Sequence, residues 1–423
     1  MALRAARRAG IFLIPALLLA APLEWLLWRS GECWPVDWVA ARQHRDPQIL
    51  YARRYFDQHY NLYKLARIRE EHPDILVIGS SRIMQVRRAF FVPVEGSFYN
   101  AGGILNGVED LEVVARLIQT AQLPAPRVMV VGLDPWWFKV DREDTLDLTR
   151  VGVWRDTLSP NARVHTVRGL AKDGLLVAAY RSLWAKPSRP PGAARPMGLA
   201  GLLYRTGFRS DGSYRYQAYV DEYRRSPRYY DRKKPSVVQQ VLAQQGKFAP
   251  AEGLDWSRVD RLLAVFQGLQ ARGIELYVVQ PPLANEVCDA LRQVPGLSAW
   301  MAEYFGPLPE RLAREAGVVT VGAASPSAYG LPDDYMWDGY HPTEVMMSYL
   351  IEDLLRAARP ASLLRRVDRA RLQALRREPG VLPVVFPRLM EGDDVSAPAQ
   401  GRLAAAHPER PRDAWLLRGQ GTR

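Results

Sequence analysis

The chain is predicted to fold as an α/β protein built on a mainly parallel sheet, on three observations. Four short apolar runs, at 74–81 (DILVIGSS), 127–133 (RVMVVGL), 274–280 (IELYVVQ) and 318–321 (VVTV), punctuate the sequence. Such runs read as strands buried on both faces, the condition of parallel sheets. Stretches of helical periodicity lie between them, and alternating helix and strand is the pattern of a parallel α/β sheet. The third observation is composition: 48% of the 423 residues are apolar and 24% charged. These ordinary globular values exclude a disordered chain, a collagen-like fibre and a polytopic membrane protein.

The elements follow in order. Arg4, Arg7 and Arg8 precede a 19-residue, mostly apolar stretch at 10–28 (GIFLIPALLLAAPLEWLLW), about the length a bilayer core requires. Basic residues ahead of it predict an N-terminal transmembrane helix, with residues 1–9 in the cytoplasm and the rest of the chain outside. On this reading the protein is single-pass in the cytoplasmic (inner) membrane, with its catalytic domain extracytoplasmic, or periplasmic. Trp25 and Trp28 fall at the outer interface, and Glu24 weakens the segment near its outer end. The competing reading is a cleaved signal peptide, with Ala20 and Ala21 as small residues of a cleavage site.

Residues 29–73, rich in Arg, His and Tyr, form a juxtamembrane connector. The α/β domain spans 74–358, with helices at 109–122, 259–272 (closed by Gly273), 304–316 and 343–358. Residues 140–255 break the rhythm with Arg, Tyr, Pro and Ser, as in YRYQAYVDEYRRSPRYYDRKKPS, and read as an insertion between the second and third strands. Its interleaved tyrosines suit an ordered ligand-facing surface; the alternative is a partly disordered loop. Residues 359–423 close the chain with an Arg-rich amphipathic helix at 361–378 and a Pro-, Gly- and Arg-rich tail from 380.

Lys plus Arg number 57 and Asp plus Glu 45, a net charge of +12. That balance fits nucleic acid, an anionic membrane surface or an acidic polymer, and equally a genome that favours arginine. Extracytoplasmic placement argues against nucleic acid. Two cysteines, Cys33 and Cys288, exclude a disulfide scaffold and a Cys-rich zinc site. Sequence alone does not place them within bonding reach of each other.

In open parallel sheets ligands sit beyond the carboxyl ends of the strands, so residues just after each strand are the candidates. Gly79-Ser80-Ser81-Arg82 follows the first run. A hydroxyl on a tight strand-to-helix turn is exposed as a nucleophile, and the following N–H groups favour negative charge beside it. The alternative is a helix-capping serine. Trp337-Asp338-Gly339-Tyr340-His341-Pro342 follows the fourth run. An Asp three residues before a His orients the imidazole and stabilises its protonated form, while the other ring nitrogen faces a serine. Of the histidines, only His341 lies past a strand end with an acid beside it. No further His or Cys lies near enough to complete a metal site, and neither a metal nor a cofactor is expected.

Together the two blocks resemble the SGNH (GDSL-type) hydrolase superfamily, whose members carry Gly-x-Ser after the first strand and Asp-x-x-His before the last helix. The resemblance implies a three-layer α/β/α fold and a triad of Ser81, Asp338 and His341. Tyr99-Asn100-Ala101-Gly102-Gly103 through Asn106-Gly107 is similar to the family's second block, an Asn followed by glycines. By that likeness the amides of Ser81 and of Gly102, Gly103 or Gly107 form the oxyanion hole, where glycine lets backbone approach the acyl oxygen. An ordinary Gly-rich turn is the alternative. The third block departs from the family. Where the hydrolases carry Gly-x-Asn-Asp, this chain reads Gly132-Leu133-Asp134-Pro135-Trp136-Trp137-Phe138. Asp134 stands at the oxyanion-donor Asn, and an ionised carboxylate cannot donate a hydrogen bond.

The predicted anchor, the Gly-Ser-Ser turn, the Pro-x-Trp-Phe strand end and the late Asp-x-x-His look like an O-acyltransferase-like subgroup. It is similar to the proteins of alginate O-acetylation and of teichoic acid D-alanyl transfer. The resemblance implies O-acyl transfer, foremost O-acetyl, to a cell-surface polysaccharide or cell-wall glycan through an acyl-serine. A multipass membrane-bound O-acyltransferase would pass the acyl group across the membrane. Asn100, Asp134, Trp136 and Trp137 are then candidate substrate contacts, with core packing as the alternative for the tryptophans. Arg82 either steers an anionic acceptor or is a solvated helix residue, the reading favoured here. Two other functions compete: an extracytoplasmic carbohydrate esterase or deacetylase, which Asp134 weighs against, and a non-catalytic polysaccharide-binding or assembly protein, which the retained Ser81, Asp338 and His341 weigh against.

Overall fold

The structure, a computed structural model, describes residues 20–54, 60–94, 96–139, 160–184, 194–227, 235–386 and 389. In chain order its strands are β1 (Ile49–Tyr51), β2 (Ile75–Gly79), β3 (Phe98–Gly102), β4 (Val128–Gly132), β5 (Arg195–Met197), β6 (Gly207–Phe208), β7 (Tyr214–Arg215), β8 (Glu275–Gln280) and β9 (Val319–Gly322). The larger sheet runs β3-β2-β4-β8-β9 and is parallel throughout. Strands β2, β4, β8 and β9 grow from the four apolar runs, and β2 and β4 are buried at every position. Burial on both faces removes the need for a polar alternation, which is why these strands read as continuous runs. β3, FYNAG, lies where the sequence reads as a glycine block.

From β3 the chain crosses β2 to β4, then steps to β8 and β9 in one direction. Right-handed crossovers taken in one direction place their helices on one face of the sheet. Helices Val108–Gln119, Trp256–Gln270 and Pro307–Ala316 accordingly lie side by side, laced by Arg261–Glu112 at 2.7 Å and Arg311–Asp260 at 2.5 Å. Helix Glu344–Ala357 packs on β9 and β8, and helix Tyr60–Glu71 on β3. The helix expected at 304–316 is two helices, Pro295–Phe305 and Pro307–Ala316, broken at Gly306. Pro307 excludes its predecessor from the helical region. The C-terminal helix expected at 361–378 is a 3-10 turn, Leu363–Arg366, followed by Arg369–Arg376, which Asp368 caps.

Two expectations are overturned. No helix among the described residues is long and apolar enough to cross a membrane. The predicted transmembrane helix, and with it single-pass placement in the inner membrane, is therefore not supported. Residues 10–19 of that segment lie outside the described residues. The remainder is helical over 20–30 and folds onto the protein: Leu26 and Leu27 are buried against Leu170, Ala179 and Leu199, and Glu24 pairs with Arg163 at 2.8 Å. Hydropathy alone does not separate a lipid-facing run from one that packs on protein.

Second, the mainly parallel sheet is not alone. β5-β1-β6-β7 form a separate sheet with both parallel and antiparallel pairs. It joins the 29–73 connector to the insertion, of which 160–184, 194–227 and 235–255 are described. Polar tethers hold it: Gln43 Nε2 donates to the Ile49 and Phe208 carbonyls at 2.8 and 3.0 Å, and Lys64 Nζ to Asn100 O at 2.7 Å and to Gly212 O. Cys33 and Cys288 are buried and unbridged, and burial pushes both thiols up to about 12. The tail from 390 lies outside the described residues.

Candidate active site

β2 ends at Gly79, and the chain turns at once into a 3-10 turn, Ser81–Ile83. Ser80 caps this turn, its Oγ accepting from the Arg82 N–H at 3.2 Å. The capping role therefore belongs to Ser80, which leaves Ser81 Oγ for other partners. Gly79, Gly102 and Gly132 stand level in three neighbouring strands. A Cβ on them would come within 3.1, 2.9 and 2.7 Å of the Ile83 side chain. Ile83 fills the notch that three absent side chains leave, and this presses the turn against the strand ends.

The second block lies on a loop closed by a Met336–Pro342 bridge and by the Trp337 N–H donating to His341 O at 2.7 Å. Asp338 Oδ1 accepts from the N–H groups of Tyr340 (2.8 Å) and His341 (2.9 Å). The same carboxylate lies 2.9 and 3.0 Å from His341 Nδ1, and His341 Nε2 lies 2.9 Å from Ser81 Oγ. Two backbone donors fix the carboxylate. The carboxylate holds the proton on Nδ1, and Nε2 is left to accept from the serine. The Asp338 side chain is 3% exposed and that of His341 18%, so the acid is sealed while the imidazole reaches solvent. Helix Glu344–Ala357 begins directly after this loop, its N-cap Thr343 accepting from the Met346 N–H.

Arg82 is not a solvated residue. Its side chain is buried, with Nε donating to Tyr340 O (3.0 Å), Nη1 to Asp134 Oδ1 (2.8 Å) and Nη2 to the carbonyls of Pro281 (2.5 Å) and Pro282 (2.8 Å). One guanidinium thus ties the ends of β4 and β8 to the His341 loop. Asp134 Oδ2 is buried with no hydrogen-bond partner among the described residues. Asn100 is buried too: Nδ2 donates to the carbonyls of Ile83 and Val86 at 2.9 and 2.8 Å. Trp137 is core, and Trp136 is buried beneath Arg82, edge-on to Tyr340 at 5.9 Å. None of these five candidate substrate contacts is exposed; they hold the site in place.

The candidate oxyanion donors divide in the same way. The Gly102 N–H donates to Asn100 Oδ1 (2.6 Å) and the Gly103 N–H to Gly79 O (2.8 Å). Among the described residues no group accepts from the Ser81 or Gly107 amide. The insertion contributes walls that spacing did not reveal. Tyr216 and Tyr219 stack at 5.5 Å, and both rings contact Trp337, next to Asp338. Val237 approaches so closely that a Cβ on Gly339 would meet it at 2.5 Å. β7 grips the turn itself, with the Tyr214 N–H donating to Met84 O at 3.0 Å. These partners lie far apart in the chain, so the tyrosine-rich pattern suggests a ligand-facing surface without saying which block it meets.

Among the described residues no cluster of three or more His, Cys, Asp or Glu is placed to hold a metal ion. No family model, curated protein or solved structure matches this chain, so its assignment rests on the residues themselves.

Proposed function

We propose that the chain is a serine acyltransferase that moves an acyl group, foremost acetyl, onto a sugar hydroxyl of a polysaccharide or cell-wall glycan. The observation that carries this reading is the hydrogen-bonded chain Ser81–His341–Asp338 beyond the carboxyl end of a parallel sheet. His341 Nε2 takes the Ser81 proton as Oγ attacks the donor carbonyl, and Asp338 stabilises the imidazolium. The tetrahedral oxyanion is stabilised by the Ser81 amide, with the Gly107 amide as the second donor that the family resemblance offers. It collapses as the donor's leaving group departs with the proton from His341, leaving acyl-Ser81. An acceptor hydroxyl then gives its proton to His341, attacks the ester, and releases Ser81 Oγ, which takes the proton back.

Asp134 supports transfer over hydrolysis. Locked to Arg82, it offers no donor to the oxyanion, and one such donor is worth about 10²–10³ in rate. A bound acceptor compensates for a weaker hole through proximity, which dilute water cannot match. Delivery of the acyl group by a multipass membrane-bound O-acyltransferase is carried by the family resemblance alone. The second reading, a carbohydrate esterase, is favoured by the solvent access of His341.

The test is acyl trapping. Purified full-length protein is treated with an activated acetyl ester and read by intact and peptide mass spectrometry. The expected result is one acetyl group on Ser81, lost in Ser81→Ala and slow to hydrolyse until a glycan acceptor is added. Label on another residue, or an active Ser81→Ala variant, overturns the assignment. Hydrolysis indifferent to acceptor selects the esterase.

A further inference from the structure

Seven large apolar side chains are exposed among the described residues, and six of them share one region. Trp25 (39% exposed) and Trp28 (50%) lie on the helix through 20–30, Trp38 (55%) on helix Val36–Arg45, and Trp184 (73%) with Val177 on helix Leu176–Trp184. Val164 lies on the neighbouring helix Pro160–Lys172. The indoles form two touching groups: Trp184 with Trp25 at 5.6 Å, and Trp28 with Trp38 at 6.1 Å. Trp25 and Trp28 are three residues apart on one helix, and Val177 and Trp184 seven apart on another, so each pair shares a face. A cluster of exposed indoles of this kind marks an interaction surface.

Charge and shape say what covers it. Exposed Arg29, Arg42, Arg45 and Arg181 lie on the same helices as the tryptophans, and outnumber the exposed acids there, Glu24 (paired to Arg163) and Asp37. Between these arginines and tryptophans opens a recess of about 210 Å³ lined by Trp28, Arg29, Trp34 and Arg42. Asp46 also lines it and is paired to Arg195 at 2.9 Å. Indoles prefer the boundary where an apolar phase meets water, since the ring is apolar and the N–H needs a partner. Arginine beside them adds attraction to anionic headgroups. We propose that this tryptophan–arginine face seats on an anionic lipid surface, with the indoles at headgroup depth and the recess receiving a phosphate headgroup. Interfacial seating of this kind needs no spanning helix.

The test uses the full-length chain with vesicles of phosphatidylcholine alone or mixed with phosphatidylglycerol. Residues 10–19 are themselves apolar, so partition is read together with quenching of tryptophan fluorescence by lipids brominated near the headgroup. Binding to anionic vesicles is expected to fall about tenfold or more in the Trp28→Ser, Trp38→Ser, Trp184→Ser triple variant. The quenched fraction should fall with it. Arg42→Glu should weaken binding to anionic vesicles and leave zwitterionic ones unchanged. Trp184→Ser alone alters the most exposed ring and serves if the triple variant unfolds. Unchanged partition and quenching in the tryptophan variants overturn the proposal. So does a variant whose only change is loss of self-association in light scattering without vesicles, which assigns the face to a second copy of the chain.

Discussion

The two sheets of this molecule are held by different physics. The five-stranded parallel sheet is built from runs of aliphatic side chains packed on both sides, and its register repeats without interruption from β3 to β9. The four-stranded mixed sheet has strands of two or three residues, too short to specify themselves by pattern. Buried charge closes the junction between them. Arg87 pairs with Asp211 (3.2 Å) and Glu344 (2.9 Å), Arg209 pairs with the same Glu344 (2.9 Å), and the Asp211 carbonyl accepts from the Asn100 N–H of β3 (2.8 Å). Glu344 opens the helix that follows His341. The first sheet supplies the turn that carries Ser81, and the second, through these tethers, holds the walls around it.

Four substitutions break or sharpen this contrast, from the largest effect down. Ser81→Ala, described above, should abolish acylation and leave both sheets intact by circular dichroism. Arg82→Met strands the Asp134 carboxylate in the interior of the first sheet's rim. Losing one partner of a buried pair costs about 3–5 kcal/mol, measurable as a fall in the urea midpoint. The double variant Arg82→Met, Asp134→Leu should recover most of it, and a single-variant cost below about 1 kcal/mol refutes the clasp.

Gly212 tests the junction. Its φ is +83°, and a Cβ there would fall on the Asn100 carbonyl. Gly212→Ala is expected to cost roughly 2–4 kcal/mol. Native-state hydrogen exchange should show β1, β6 and β7 opening while β2, β4 and β8 keep their protection. Equal loss in both sheets removes the distinction drawn here. The smallest effect is at His44, whose hydrogen bond to Glu71 raises its pKa against the opposing pull of burial. A raised pKa stabilises the fold below about pH 6.5, and that contribution disappears as pH rises through the folded value. Glu71, held low by His44 and Arg67 although burial opposes it, stays ionised across that range. His44→Asn should therefore cost less than about 1 kcal/mol near pH 6, discounted for the half-exposed ring, and nothing near pH 9. Thermal melts at the two values decide it.

What could be read from the sequence follows the same division. The α/β character, four of the five parallel strands and the helices at Val108–Gln119 and Trp256–Gln270 are local patterns, and each was legible. The Gly-Ser-Ser and Asp-x-x-His blocks were legible because each occupies a few consecutive residues. β3 hid because it carries Asn100, whose side chain satisfies the carbonyls of Ile83 and Val86. The mixed sheet hid because two residues carry no periodicity. Arg82 read as a surface residue because its partners lie at 134, 281, 282 and 340. The described end of the segment at 10–28 misled because leucines that pack on protein, as Leu26 and Leu27 do, and leucines that face lipid have the same hydropathy.

The stretch from Gly79 to Ile83 has a consequence for anyone redesigning the protein. Five consecutive residues give, in turn, a close strand approach, a cap, the candidate nucleophile, a four-point clasp and a plug. No position in it is free to vary for specificity alone, because each change there alters the scaffold together with the chemistry. If the proposed acyl transfer holds, selection for a new acceptor should accumulate in the insertion, around Tyr216, Tyr219 and Val237, and library diversity belongs there.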